Sequence, residues 1–356
     1  MTDSLRIRLR PTGPWRIAPD SGERDRIGVL YHSDTLYSAI CSAMLRLGWL
    51  EEWIAESDSP PVRLSSLLPS FGDTLFVPAP SGLWPPTAAG RLHARAARFL
   101  PQQVASAVFA GRALEEDKWE VDAVSHCLLP SSGRGGVGGP FRIALRTGAA
   151  IDRVTAAHAE VHRTACLEFA PGAGFWLVAQ FRDGEARKAW AARVMAAIRL
   201  LCDTGFCGRR SIGWGQAELS GVDAGPLAHL VLGPAADPEP VKPAAAEGEA
   251  EAVAEPAPAP VPTAWWLLSL FTPAASDAID WQRGTYSLVS RSGRVESPQG
   301  WGASKKSIRM VSEGSLLVSP EEPLGSVTDV APEGFPHPVL RSGLAVSLQV
   351  PFRGYA

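Results

Sequence analysis

The sequence predicts an α+β fold: two ferredoxin-like units in tandem, the first enlarged by an insertion. Three observations carry that prediction. At 356 residues the chain suits two domains of ordinary size. Two long helical patterns lie among segments that alternate or run apolar as strands do. Between the halves, residues 235–262 read AADPEPVKPAAAEGEAEAVAEPAPAPVP, with no aromatic residue and no apolar period. Such a segment buries too little surface to offset the entropy of ordering, so it reads as a linker.

The domains predicted are therefore 1–231, a linker at 232–263, and 264–356. Leu5, Ile7 and Leu9 alternate with Arg6, Arg8 and Arg10, a strand with one buried and one basic face. HSDTLYSAICSAMLRLGWLEEWIAES, from His32 to Ser57, places Leu36, Ile40, Met44 and Leu47 on one helical stripe. Ser33 is placed to cap that helix, and Asp34 sits where the helix dipole favours an anion. Thr74–Pro80 reads as a strand. An insertion of about residues 80–165 follows, with helical composition from Arg91 to Leu114, a glycine loop and a hairpin from Phe141 to Phe169. Phe175–Phe181 is a buried strand. Gly184–Asp203 is the clearest helix, with Trp190, Val194, Ile198 and Leu201 on one stripe, and Gln216–Leu219 is the next strand. Beyond the linker come a buried strand at 264–273, a short helix at 273–281, and strands within 286–297, 305–318 and 344–352.

A composition of 46% hydrophobic and 20% charged residues excludes wholesale disorder. The formal net charge of −3 argues against indiscriminate coating of nucleic acid. That charge is uneven, since the linker holds six acids and one base, while Arg283–Arg309 holds six bases and one acid. Cys41, Cys127, Cys166, Cys202 and Cys207 lack CxxC spacing, so neither a disulfide framework nor a zinc site is expected. The start MTDSLRIRLRP lacks the apolar stretch of a secretion signal, and no apolar run reaches the ~20 residues of a membrane span. A cytoplasmic protein is the expectation.

Four segments carry candidate chemistry. His32-Ser33-Asp34-Thr35 reads either as a helix cap or as a helix N-terminus offering free N–H groups to a phosphate. In TGFCGRRSIGWGQ, Gly205, Gly208, Gly213 and Gly215 flank Arg209, Arg210 and Ser211. Glycines admit positive φ and close approach, and paired arginines fork onto phosphate oxygens. The alternative there is a helix C-cap and an ordinary turn. The hairpin, with Arg146, Arg153 and Thr155, either braces single-stranded nucleic acid or is a solvated ribbon with compensating charges. Lys305, Lys306 and Arg309 form a basic run without an adjacent acid. Tyr31, Phe206 and Trp214 are either stacking platforms or core aromatics. The seven histidines show no HxH or HExxH spacing, and no metal or other cofactor is expected.

The ordered set HSDTLYSAI, AIDRVTAAHAE, GFCGRRSIGWGQ, KKSIRMVSEGSLL and HPVLRSG resembles the RAMP superfamily of CRISPR effector proteins. Within it, the fourth-subunit family of the type III-A Csm complex is most similar. The resemblance covers nearly all of the chain except the linker. It implies a noncatalytic, RNA-binding subunit with two RRM-type domains. The expected partners are the 5′ handle of the CRISPR RNA, the large polymerase-like signature subunit and a backbone RAMP subunit, with target RNA only indirect. His32–Thr35 and the Gly205–Gly215 loop would line the handle surface, and the hairpin would be a thumb between handle and guide. His337 and Arg341 would serve packing or RNA contact. Two alternatives stand beside this: a RAMP endoribonuclease with His32 as general base, and the equivalent subunit of a type III-B complex.

Overall fold

Leu5, Ile7 and Leu9 bury their side chains on one face of β1 (Asp3–Pro11), and Arg6, Arg8 and Arg10 take the other, as the alternation predicts. The computed structural model describes residues 3–19, 23, 25–57, 59–85, 96–112, 114–131, 138–151, 153–154, 159–233, 263–297 and 300–352. The glycine loop before the hairpin and the linker fall mainly or wholly outside these. The helix expected over 32–57 is two helices, α1 (Ser33–Leu47) and α2 (Leu50–Ala55), because Gly48 takes a left-handed backbone with φ 77° that closes the first.

β2 (Val62–Leu64), β3 (Leu68–Phe71), β4 (Thr74–Pro78) and β5 (Phe99–Pro101) follow. Of the helical stretch expected at 91–114, the described residues keep only α3 (Gln102–Phe109). Proline directly before a helix sacrifices no helical hydrogen bond, so Pro101 is tolerated at the start of α3. β6 (Trp119–Val121) pairs with β7 (Leu128–Pro130). β8 (Phe141–Ile151) and β9 (Ala159–Phe169) form the expected hairpin in unbroken register. β10 (Ala173–Phe181), α4 (Gly184–Thr204), β11 (Ala217–Pro226) and α5 (Leu227–Leu232) complete the first half. The Asp183 side chain caps α4 by accepting from the Ala186 N–H at 2.7 Å.

After the linker come β12 (Thr263–Leu267), β13 (Asp280–Thr285), β14 (Leu288–Arg291), β15 (Arg294–Ser297) and β16 (Gly300–Ser304). β17 (Ile308–Val311), β18 (Leu316–Val318), β19 (Gly325–Asp329), β20 (Leu340–Leu344) and β21 (Ser347–Pro351) finish the chain. The helix expected at 273–281 does not form. Asp277 instead accepts from the N–H groups of Ala274, Leu324 and Gly325, an alternative to helical bonding that short acidic side chains favour. The single strands expected within 286–297 and 305–318 are each broken by a turn, the second at Glu313–Gly314.

The fold is mixed α/β with antiparallel sheets. The first sheet runs β11-β1-β10-β3-β4-β5, with β2 also beside β10, and the second runs β13-β18-β12-β21. β10 is buried along its whole length. Phe175, Leu177, Ala179 and Phe181 face α1 and α4, while Trp176 and Val178 face a second core shared with Trp266, Leu268, Leu316 and Val346 from beyond the linker. A strand covered on both faces reads as continuous apolar sequence rather than as alternation, which is why AGFWLVAQF looks as it does. The linker thus joins two halves that bury apolar surface against each other, and Phe109 meets Trp266 edge-on with ring centroids 5.0 Å apart.

The shared core predicts one unfolding transition in denaturant, common to both halves. Trp266→Ala should lower its stability by about 3–5 kcal/mol. Two separate transitions by tryptophan fluorescence and far-ultraviolet circular dichroism would contradict the shared core.

Candidate nucleic-acid interface

The strand beside β10 is split into β2 and β3 by Ser65–Leu67, and that break shapes the site. The Ser66 N–H donates to the Leu268 carbonyl at 3.0 Å, and the Leu67 N–H donates to the Tyr31 carbonyl at 2.9 Å. The start of α1 is thereby held against the second half. Ser33 is not the helix cap expected of it. His32 occupies that position without a side-chain cap bond, while the Ser33 hydroxyl is buried and accepts from the Leu270 N–H at 3.0 Å. His32 Nδ1 lies 2.8 Å from Glu313 Oε1, and the Ser66 hydroxyl donates to the same oxygen. Burial pushes the Glu313 carboxyl up, yet the His32 charge and the bonds from His32 and Ser66 outweigh this and hold it below its ordinary 4.5.

Asp34 is buried and does not face solvent as an anion-favouring surface group. Its oxygens accept from Arg291 Nε and Nη2, both at 3.1 Å, and from Arg341 Nη1 at 2.6 Å. Burial raises its carboxyl, and the Arg291 charge and bond, then Arg341 and His32, overcome that and hold it below 3.8. Arg291 Nη2 also donates to the Thr35 hydroxyl at 3.0 Å. The charge of Asp34 is spent on joining the halves.

The glycine loop packs against this junction. Tyr31 donates its hydroxyl to the Phe206 carbonyl, and buried Trp15 stacks on Phe206 with centroids 5.3 Å apart. Tyr31 and Phe206 are therefore core residues rather than stacking platforms. Gly205, with φ 93°, ends α4, and a Cβ there would lie 2.5 Å from the Trp214 carbonyl oxygen. Arg209 has a left-handed backbone, φ 65°, at a cost of about 1–2 kcal/mol for a residue with a Cβ. It is held by a 2.9 Å bond from its guanidinium to the Thr164 hydroxyl on β9, over the half-buried Trp214 ring. Arg210–Ile212 form a single 3₁₀ turn, with Ser211 and Gly213 exposed and Gly208 beside Arg16. Gly215 is buried, its N–H donating to the Pro14 carbonyl.

The hairpin leaves the body beside that loop. Arg142 and Arg146 both bind Glu168, which compensates part of the basic charge near its base. Arg153 and Val154 are exposed at its far end, and Thr155 lies outside the described residues. Lys306 and Arg309 are exposed in the second half, and Lys305 is half-buried near Cys41. The β14–β17 ribbon, pairing Arg291 with Ile308 and Ser290 with Arg309, connects this run to Asp34. His337 is bonded to the Pro338 carbonyl and packs edge-on against Phe335, and Arg341 is in the Asp34 cluster. The sequence nominated neither Arg291 nor Glu313. Glu313 stands 281 positions from His32, and no local pattern announces such a pairing.

Residues 262–350 match the family model of the CRISPR Csm4 C-terminal domain. This C-terminal segment is therefore Csm4-like. The Csm3–Csm4 subcomplex of the type III-A CRISPR-Cas interference complex contains a chain similar over 99% of both chains, with TM-score 0.58 and 15% identity. The Csm1–Csm4 cassette in complex with cA4 contains one similar over 98% of both, with TM-score 0.54 and 16% identity. The same cassette with pppApA gives 0.52 and 16%. At these identities the likeness is one of fold. No curated protein sequence matches the chain.

Because the folded protein holds the Asp34 and Glu313 carboxyls below their ordinary values, both stabilise it when ionised. That contribution is complete above about pH 4.5 and is lost as pH falls through the lowered values. Wild type should therefore lose urea resistance on acidification more steeply than Asp34→Asn/Glu313→Gln. Asp34→Asn alone should cost about 3–5 kcal/mol at pH 7, since it strands two buried guanidinium groups.

Proposed function

We propose that the chain is a noncatalytic RNA-binding subunit of a type III-A CRISPR effector complex in cytoplasmic antiviral defence. In this reading it holds the 5′ handle of the CRISPR RNA and docks a large polymerase-like subunit and a backbone RAMP subunit. The observation that carries the reading is end-to-end likeness, 98–99% of both chains, to Csm4 chains in complexes with Csm1 and with Csm3. Those complexes are Csm assemblies, which favours type III-A over a type III-B counterpart. We read both sheets as ferredoxin-like. Taken as β11-β1-β10-β3 and β21-β12-β18-β13, each has its strands in the order last, first, third, second, and the first half places helices after its first and third strands.

The site supports RNA contact on physical grounds. The strained Arg209 and the exposed Ser211 in the loop, and Arg153 at the far end of the hairpin that leaves the body beside it, supply cations and a hydroxyl to an RNA strand. His32, Ser33, Asp34 and Thr35 act beneath that surface by fixing α1 against the second half. One observation favours the endoribonuclease alternative: Glu313 orients His32, as a carboxylate orients a catalytic imidazole. We read the pair as structural, because Glu313 also accepts from Ser66 and ties the halves together.

Arg209→Ala/Arg210→Ala should weaken binding of a handle-sequence RNA and reduce its salt dependence by roughly one to two phosphate contacts. Filter binding at two salt concentrations checks this, and unchanged affinity at both rejects the loop as the handle site. Repeat RNA incubated with the protein without metal should remain uncut, whether the protein is wild type or His32→Ala. Site-specific cleavage lost in His32→Ala would instead establish the enzyme.

A further inference from the structure

Trp281 and Tyr286 are the only aromatic side chains standing exposed among the described residues, at 38% and 37%. They touch each other, with ring centroids 5.1 Å apart and planes at 73°. β13 carries Trp281 at the edge of the second sheet and bulges there. Asp280 pairs with Val318 and Thr285 with Leu316, five steps along one strand against two along the other. Asp280 Oδ1 accepts from the N–H groups of Gln282 and Arg283 at 3.1 and 3.3 Å, which holds the bulge turned. Bulges re-aim side chains, and this one turns Trp281 and Arg283 to solvent beside Tyr286.

The surroundings are basic. From Asp280 to Ser312 the chain has six bases, Arg283, Arg291, Arg294, Lys305, Lys306 and Arg309, and two acids, Asp280, whose carboxylate is bonded to the bulge backbone, and Glu296. Only Arg291 among the six is directed inward to Asp34. Leu288 and Arg309 are exposed on the neighbouring β14–β17 ribbon. Aromatic faces accept any base by stacking, and flanking guanidinium groups hold the phosphates between bases. Exposed aromatics and arginine also suit protein contacts, but so one-sided a charge is complementary to a polyanion.

We propose that Trp281 and Tyr286 form a stacking platform for single-stranded RNA, with Arg283 and Arg309 binding its phosphates. This rests on the RNA-binding reading above and assigns a second contact surface, in the other half of the chain from the glycine loop.

The test uses the full chain, a labelled single-stranded oligouridine and a duplex RNA of the same length, with fluorescence anisotropy at two salt concentrations. Trp281→Ala/Tyr286→Ala should weaken single-strand binding about tenfold or more and leave the salt slope unchanged. Trp281→Phe should keep most of the affinity, and Arg283→Ala/Arg309→Ala should lower the slope. An unchanged thermal midpoint confirms that these surface variants fold. Wild-type affinity in the double-alanine variant overturns the platform, even where Arg209→Ala/Arg210→Ala loses handle binding. Loss of large-subunit capture with intact RNA binding also overturns it and makes the patch a protein contact. Failure of wild type to bind any RNA removes the RNA-binding reading together with this one.

Discussion

β10 has apolar side chains on both faces, and a strand of that kind is stable only when covered from two directions. α1 and α4 cover one face. The other needs an apolar surface that the first half supplies only in part, through α3 and α5, and the second sheet supplies the rest. Much else follows from this requirement. The linker separates the halves in sequence, yet it cannot separate them in energy. The break between β2 and β3 exists where the second sheet reaches across, and the start of α1 becomes a seam instead of a free helix end.

Charges at such a seam lose their water and must be paired. Asp34 does so with two arginines, and Glu313 with His32 and Ser66. Arg63 adds a third tie, donating to the Ala345 carbonyl at 3.0 Å and to Glu322 at 2.8 Å. These contacts contribute positioning more than net stability, because desolvation offsets much of the attraction. Their effect is to fix Tyr31, and through it Phe206 and the loop around Arg209.

What the sequence disclosed was whatever depends on near neighbours. The alternation of β1, the apolar run of β10 and the stripe of α4 are local patterns, and each led to the right element. The order of motifs also pointed to the RAMP family. Features that need partners far along the chain were not legible. Asp34 looks like a first-turn anion until Arg291 and Arg341 arrive from 257 and 307 positions away. Tyr31 and Phe206 are aromatic enough to stack on bases, but only the fold shows Trp15 already against them. Trp281 and Tyr286 gave no signal because exposure belongs to the folded surface. The helix expected at 273–281 failed because Asp277 bonds to loop backbone instead.

The shared core also bears on what a covalent chain is for in this molecule. The ends flanking the linker, Gly233 and Thr263, each adjoin elements already anchored in the same apolar core. The peptide joining them keeps the two halves at a high effective concentration. Cut there, the chain would be two fragments whose interface has the character of a domain interior. They would assemble as obligate partners do, and neither would be soluble and folded by itself. In this sense one polypeptide is organised as a permanent heterodimer with its subunits tethered.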